Sequence, residues 1–240
     1  MKLSLRFGTL LALTAILCVG GCKQNKVAEK DDSENLVDQS NPENKQPTQE
    51  SDLELAKKIG ELTNSAKKLE SELKFTEAVE AWQEIEVLVN RRFGKDSWQL
   101  RNVELAKQVA EKEATFDDSQ KRILLSIGEL QKNVAQALRN RQFSAAYDSC
   151  LDASRLTQTL FGSESHLYGQ MQNQLARICM SNKQTGLAIS YFQSGYRILS
   201  SQMGEVHPEV EATNFAIGQI YQQTNRHQEA IPYFLKSVEL

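Results

Sequence analysis

Chain breakers are scarce in this sequence. Its 240 residues include 12 glycines and 4 prolines, and two of the prolines, Pro42 and Pro47, fall in one polar stretch. So few turn residues exclude the many corners of an all-β sandwich, and collagen with them. An apolar share of 40% excludes wholesale disorder. An excess of charge of one sign is also missing. With 28 basic and 31 acidic side chains the net charge is −3, which leaves no electrostatic footprint for nucleic acid. Three histidines and four cysteines are scattered too widely to suggest a metal site. No His-x-x-x-His, Cys-x-x-Cys, glycine-rich phosphate loop or Gly-x-Ser-x-Gly occurs. The sequence therefore predicts no catalytic residues, no metal and no cofactor. The acidic group Glu111, Glu113, Asp117 and Asp118 reads as solvated helix ends.

The one long apolar run lies at the start. Lys2 and Arg6 precede Phe7 to Val19, and the pair Gly20-Gly21 follows. A membrane-spanning helix needs about 20 apolar residues, so this run fits the h-region of a secretory signal peptide instead. Val19-Gly20-Gly21-Cys22 resembles a bacterial lipobox: an aliphatic residue, two small ones around which a peptidase can close, and a cysteine whose thiol takes the diacylglycerol. Cys18 is a poorer candidate because the bulky Leu17 precedes it. An ordinary cleaved signal ending near a cysteine is the alternative. More than one acyl chain on Cys22 would suffice for stable membrane attachment. Loss of residues 1–21 removes two positive charges and no negative one, which takes the formal charge from −3 to −5.

The next segment, 22–50, reads as a lipidated, disordered tether. From Lys23 to Glu50 only Val27, Ala28, Leu36 and Val37 are apolar. That is too little buried surface to offset the ordering entropy. A flexible coil of this length spans roughly 30 Å.

From Ser51 onward the chain repeats itself. Ala146, Ala188 and Ala230 are 42 residues apart, as are Gly162 and Gly204. Leu175-Ala176 corresponds to Ile217-Gly218, Ile178 to Ile220, and Tyr191-Phe192 to Tyr233-Phe234. An interval of 16 separates Ala78 from Gly94, Ala146 from Gly162, and Ala188 from Gly204. Within each unit the apolar spacing is helical, with Leu175, Ile178 and Cys179 on one face and Ala188, Phe192, Gly195 and Leu199 on another. Polar turns such as Ser181-Asn182-Lys183-Gln184 and Thr224-Asn225-Arg226 separate the helices. Glycines 94, 162 and 204 sit where a left-handed residue ends a second helix, and Pro208 suits a helix start. Small residues let the two backbones of a pair approach, and Phe192 and Phe234 reach the next pair. Such pairs cannot bury their faces alone and stack. The interval from Ala78 to Ala146 exceeds the repeat by 26 residues, which predicts an inserted helix over 97–116.

These units resemble tetratricopeptide repeats of the kinesin light chain type, with their Gly-x-x-His-Pro link. Gly204-Glu205-Val206-His207-Pro208 reproduces the link, while Phe161-Gly162-Ser163-Glu164-Ser165-His166 departs from it. The resemblance is strong over 120–240 and weaker over 51–119. It implies an all-α, right-handed superhelix of stacked antiparallel helix pairs: a divergent N-terminal repeat and connecting helix over 51–119, then a repeat array over 120–240. It also favours His207 as a link residue bonding backbone carbonyls, not a ligand or base.

The stacking implied by that resemblance places Cys150 and Cys179 on facing helices. Either a disulfide or two buried thiols satisfies this placement. The groove positions carried across are Asn173, Arg177 and Met180 in one repeat and Gln219, Gln222 and Gln223 in the next. They imply a groove that receives a peptide or helix of another envelope protein, or else an ordinary wet surface. Three functions follow as expectations: a membrane-anchored interaction scaffold, a pilotin-like assembly lipoprotein for an outer-membrane or secretion complex, and a peptidoglycan or polysaccharide enzyme accessory with hidden activity. The helix that runs into Lys236-Ser237-Val238-Glu239-Leu240 lacks a glycine stop or polar cap, so either another molecule covers its end, with self-association as one option, or the chain is shortened there.

Overall fold

Local chemistry marks where each helix begins. The computed structural model describes residues 51–236. Among these, the chain forms nine helices and no strand. They are α1 Asp52–Ser71, α2 Phe75–Phe93, α3 Trp98–Ala114, α4 Asp118–Arg139, α5 Phe143–Phe161, α6 His166–Ser181, α7 Thr185–Met203, α8 Pro208–Gln223 and α9 His227–Lys236. The signal segment, Cys22 and its tether, and the last residues, 237–240, lie outside the described residues.

Ser51 and Asp117 each close a capping box, with Glu54 and Gln120 as the reciprocal partners. Ser97 and Ser165 accept from the backbone N–H three residues ahead. A cap of this kind contributes about 1 kcal/mol. The turn inside each pair uses a left-handed residue that is never glycine: Leu73, Arg141, Lys183 and Asn225, with φ between 56° and 60°. The link after a pair uses Gly94, Gly162 or Gly204, with φ between 86° and 94°. Pro208 takes the first position of α8, as the sequence predicts. Pro232 lies inside α9, where its missing N–H removes one helical hydrogen bond.

The predicted all-α stack is what the chain forms. Consecutive helices pack as antiparallel pairs, α1 with α2, α4 with α5, α6 with α7, and α8 with α9. The alanines read as small contact positions, Ala78, Ala146, Ala188 and Ala230, are all buried. Trp82 and Phe192 fill the space on the same faces, in the slots that the small residues leave open. Two glycines carry close approaches. A Cβ on Gly195 would stand 2.2 Å from Asn173 Oδ1, and one on Gly218 would stand 2.9 Å from the Phe234 ring.

The inserted helix departs from a simple linear stack. α3 packs on α2, and its other side meets α7 instead of running on into α4. Leu105 joins Leu199, Met203 and Val210 in one buried cluster. The Arg101 guanidinium donates from Nε to the carbonyl of Gln202 at 2.7 Å. His207 Nδ1 accepts from the Glu209 N–H at 3.1 Å, so its proton resides on Nε2, which donates to Asn102 Oδ1 at 3.0 Å. The Trp98 ring meets that imidazole edge to face at 5.8 Å. Just past the end of α3, Phe116 meets Phe161 at 5.7 Å. The link histidine thus caps α8 and latches α3. It accepts from a backbone N–H, where the sequence reading had it bonding carbonyls.

Candidate partner-binding groove and cavity

α6 is the hub of the array, because polar side chains stitch it to its neighbours. Gln172 Nε2 donates to Ser154 Oγ of α5 at 3.2 Å. Gln174 Nε2 donates to Gln131 Oε1 of α4 at 3.0 Å. Asn173 Nδ2 donates to Thr213 Oγ1 of α8 at 2.6 Å. The Thr213 hydroxyl is itself committed to the Glu209 carbonyl, which fixes the direction of the Asn173 bond. These amides set the spacing between helices at the cost of buried oxygens: Asn173 Oδ1 and Gln174 Oε1 have no partner.

The residues expected to line the groove separate on this scaffold. Arg177, Gln219, Gln222 and Gln223 are exposed on α6 and α8, and Met180 is half-buried. Asn173 requires a correction: it is 3% exposed and sits between α6, Gly195 of α7 and Thr213 of α8. The glycine at 195 lets α7 come so close that the amide is sealed in. Asn173 therefore spaces helices and offers nothing to a partner. Of the two alternatives for Cys150 and Cys179, the structure has the free, buried thiols. Burial and the neighbouring Cys179 push the Cys150 thiol up to about 12, and burial raises Cys179 too.

A cavity of about 620 Å³ opens elsewhere, and none of these positions lines it. Its walls are the α1–α2 turn, the end of α3, most of α4, the end of α5 and the first half of α6. Most of the lining is apolar, from Leu73, Phe75, Leu124, Ile127, Phe161 and Met171 among others. α4 explains why the space is open. Its sequence is strongly amphipathic, yet only Val134 and Ala137 are buried, and Ile123, Leu124, Leu125 and Ile127 remain half-exposed. The helix carries more apolar surface than its neighbours cover.

Two carboxyl groups line the same cavity. Glu70 accepts the Trp82 indole N–H at 2.7 Å, and burial raises its pKa against the pull of that bond and of Lys67. Glu113 is 7% exposed, which corrects its reading as a solvated helix end. Burial, with Glu70 nearby, pushes it up to about 8. Lys132 and Arg139 stand at the rim, with Lys132 paired to Glu129 at 2.7 Å. Glu209, half-buried on α8, accepts from Gln170 at 2.9 Å; burial raises its pKa, while Gln170 and Arg177 draw it down.

The two histidines of the links are structural. Burial holds His166 at about 4, with Arg101 and His207 adding to the effect, and burial holds His207 at about 4. Both stay neutral near pH 7. Among the described residues no three His, Cys, Asp or Glu side chains come together as a metal site would require.

Residues 167–240 match the family model of the tetratricopeptide repeat. The matched stretch begins one residue into α6 and takes in α7, α8 and α9. No curated protein matches the chain. Tetratricopeptide repeats are protein-interaction modules, and the exposed positions on α6 and α8 fall within the matched segment. The cavity falls only partly within it: Leu167, Gln170, Met171 and Gln174 of its wall are matched, and the walls from α1 to α5 precede the match. Sequence reasoning missed Glu70, Glu113 and the cavity. The available signal was the surplus of apolar residues in 123–127, which no repeat contact position requires.

Proposed function

We propose that this protein is a membrane-anchored interaction scaffold whose repeat array holds a segment of another envelope protein. The observation that carries the reading is the apolar space left between α4, α6 and the N-terminal helices, continuous in sequence with a tetratricopeptide segment. An uncovered apolar cavity with a few convergent polar groups is the ordinary form of a binding site. No described helix is long and apolar enough to cross a membrane. In this proposal the attachment is instead the lipid on Cys22, with residues 23–50 as the tether.

Crosslinking in intact cells tests this directly. A photo-reactive side chain at exposed Arg177 or Gln219 should capture one stoichiometric envelope protein. Recovery of secretin or barrel subunits would move the reading to a pilotin-like assembly factor. If no adduct forms from either position, the scaffold reading fails. Cys22→Ala should release the exported protein from the membrane fraction, and continued tight attachment would rule out the lipid anchor.

A further inference from the structure

We propose that the cavity between the α1–α2 turn, α3, α4 and α6 takes an apolar peptide segment that carries one lysine or arginine, with that cation seated on Glu113 and Glu70. This deepens the scaffold reading and rests on it. Glu113 is the deciding residue. It lines the cavity at 7% exposure, and among the described residues it has no hydrogen-bond or ionic partner. The charged group that acts on it is another carboxylate, Glu70, which is tied to Trp82 and drawn on by Lys67. Buried carboxyl groups are ordinarily paired or hydrogen-bonded. Two together, facing open apolar space, form a site that a cation completes. Rim charges do not offset this, because Lys132 already pairs with Glu129 and exposed charges are screened.

The apolar wall sets the rest of the ligand. Leu124, Ile127, Phe75 and Met171 would be covered by aliphatic or aromatic side chains, for which about 620 Å³ has room. The chain's own tether is a poor occupant. Residues 23–50 hold four lysines but only Val27, Ala28, Leu36 and Val37 as apolar groups. A segment of another protein fits both demands.

The test uses the full-length protein and three labelled amphipathic peptides of leucine and alanine, with a central lysine, norleucine or glutamate. Fluorescence anisotropy at pH 8 should rank lysine first, by at least about tenfold over the other two. Glu113→Gln should abolish that ranking while leaving the norleucine peptide within about twofold. Ile127→Asp should weaken all three. Equal binding of the peptides, unchanged by Glu113→Gln, overturns the inference and leaves the scaffold reading standing. Binding of none overturns the inference; the scaffold reading then stands or falls on crosslinking from Arg177 and Gln219. Binding of dodecylammonium, read by calorimetry, with no peptide binding assigns the cavity to lipid and equally overturns it.

Discussion

A buried carboxyl with no partner should show itself in stability as well as in binding. Glu113 has a folded-state pKa of about 8 against an ordinary value of 4.5. Between those values the folded chain binds more protons than the unfolded one, so stability is full at acid pH and falls as pH rises through the window. At about 1.4 kcal/mol per unit, the full difference is about 5 kcal/mol. Water drawn into the open cavity would solvate the charge, which leaves about 2–5 kcal/mol. Glu113→Gln keeps the shape of the neutral acid and cannot ionise. At pH 5 it should match the parent within about 1 kcal/mol. At pH 9 it should be more stable, by about 5–15 °C in melting temperature for a chain of this size. Circular dichroism at 222 nm during heating reads both. If the difference between variant and parent is the same at pH 5 and pH 9, Glu113 does not ionise in a dry site and the reasoning fails.

The histidine links carry the opposite sign. His166 and His207 are held at about 4, below the ordinary 6.5, so the unfolded chain takes up their protons first and stability drops as pH falls from 6.5 towards 4. Glu113 works against this in the same window, so the test uses the Glu113→Gln background: there melting temperature should decline from pH 6.5 to 5, and adding His166→Gln should flatten the decline. Asn102→Ala removes the partner of His207 Nε2 and should cost about 1–3 kcal/mol, with amide exchange rising first in α3. Gly195→Ala places a methyl 2.2 Å from Asn173 Oδ1 and should cost about 1–3 kcal/mol by chemical denaturation. The thiols of Cys150 and Cys179, buried and hard to ionise, should label with a thiol reagent only on unfolding. Rapid labelling in the native protein would contradict their burial.

The all-α stack was legible because its evidence is local and repeated. Alanine and glycine recur at fixed intervals, and each marks a place where a larger side chain would collide or a turn must adopt positive φ. The in-pair turns were legible only in part. Asn225 advertises a left-handed residue, whereas Leu73 and Arg141 carry no such signature and are held there by the closure of their pairs. The docking of α3 was hidden because it rests on contacts remote in sequence. Asn102 and His207 are 105 positions apart, and nothing near Asn102 names its partner. Asn173 was misplaced for a related reason: its repeat position faces the groove by analogy, but Gly195 brings α7 close enough to seal it. Glu113 looked solvated beside Glu111 and Asp117, and one step around the helix separates the exposed positions from the buried one.

The inserted helix and the cavity have a common cause. A strictly linear stack would place the α1–α2 pair directly against α4 and close its apolar face. Here α3 carries the chain aside to reach α7 and α8, held by Leu105, Arg101 and Asn102. That placement brings the α1–α2 turn and Glu113 over α4 without filling the space between them. The surplus of Leu124, Leu125 and Ile127 then acquires a physical reason: in a closed stack it would be core, and here it is a wall. A binding surface built this way depends on the latch at His207. Loosening α3 should widen the cavity and weaken any peptide it holds, even though Asn102 touches no part of the cavity wall.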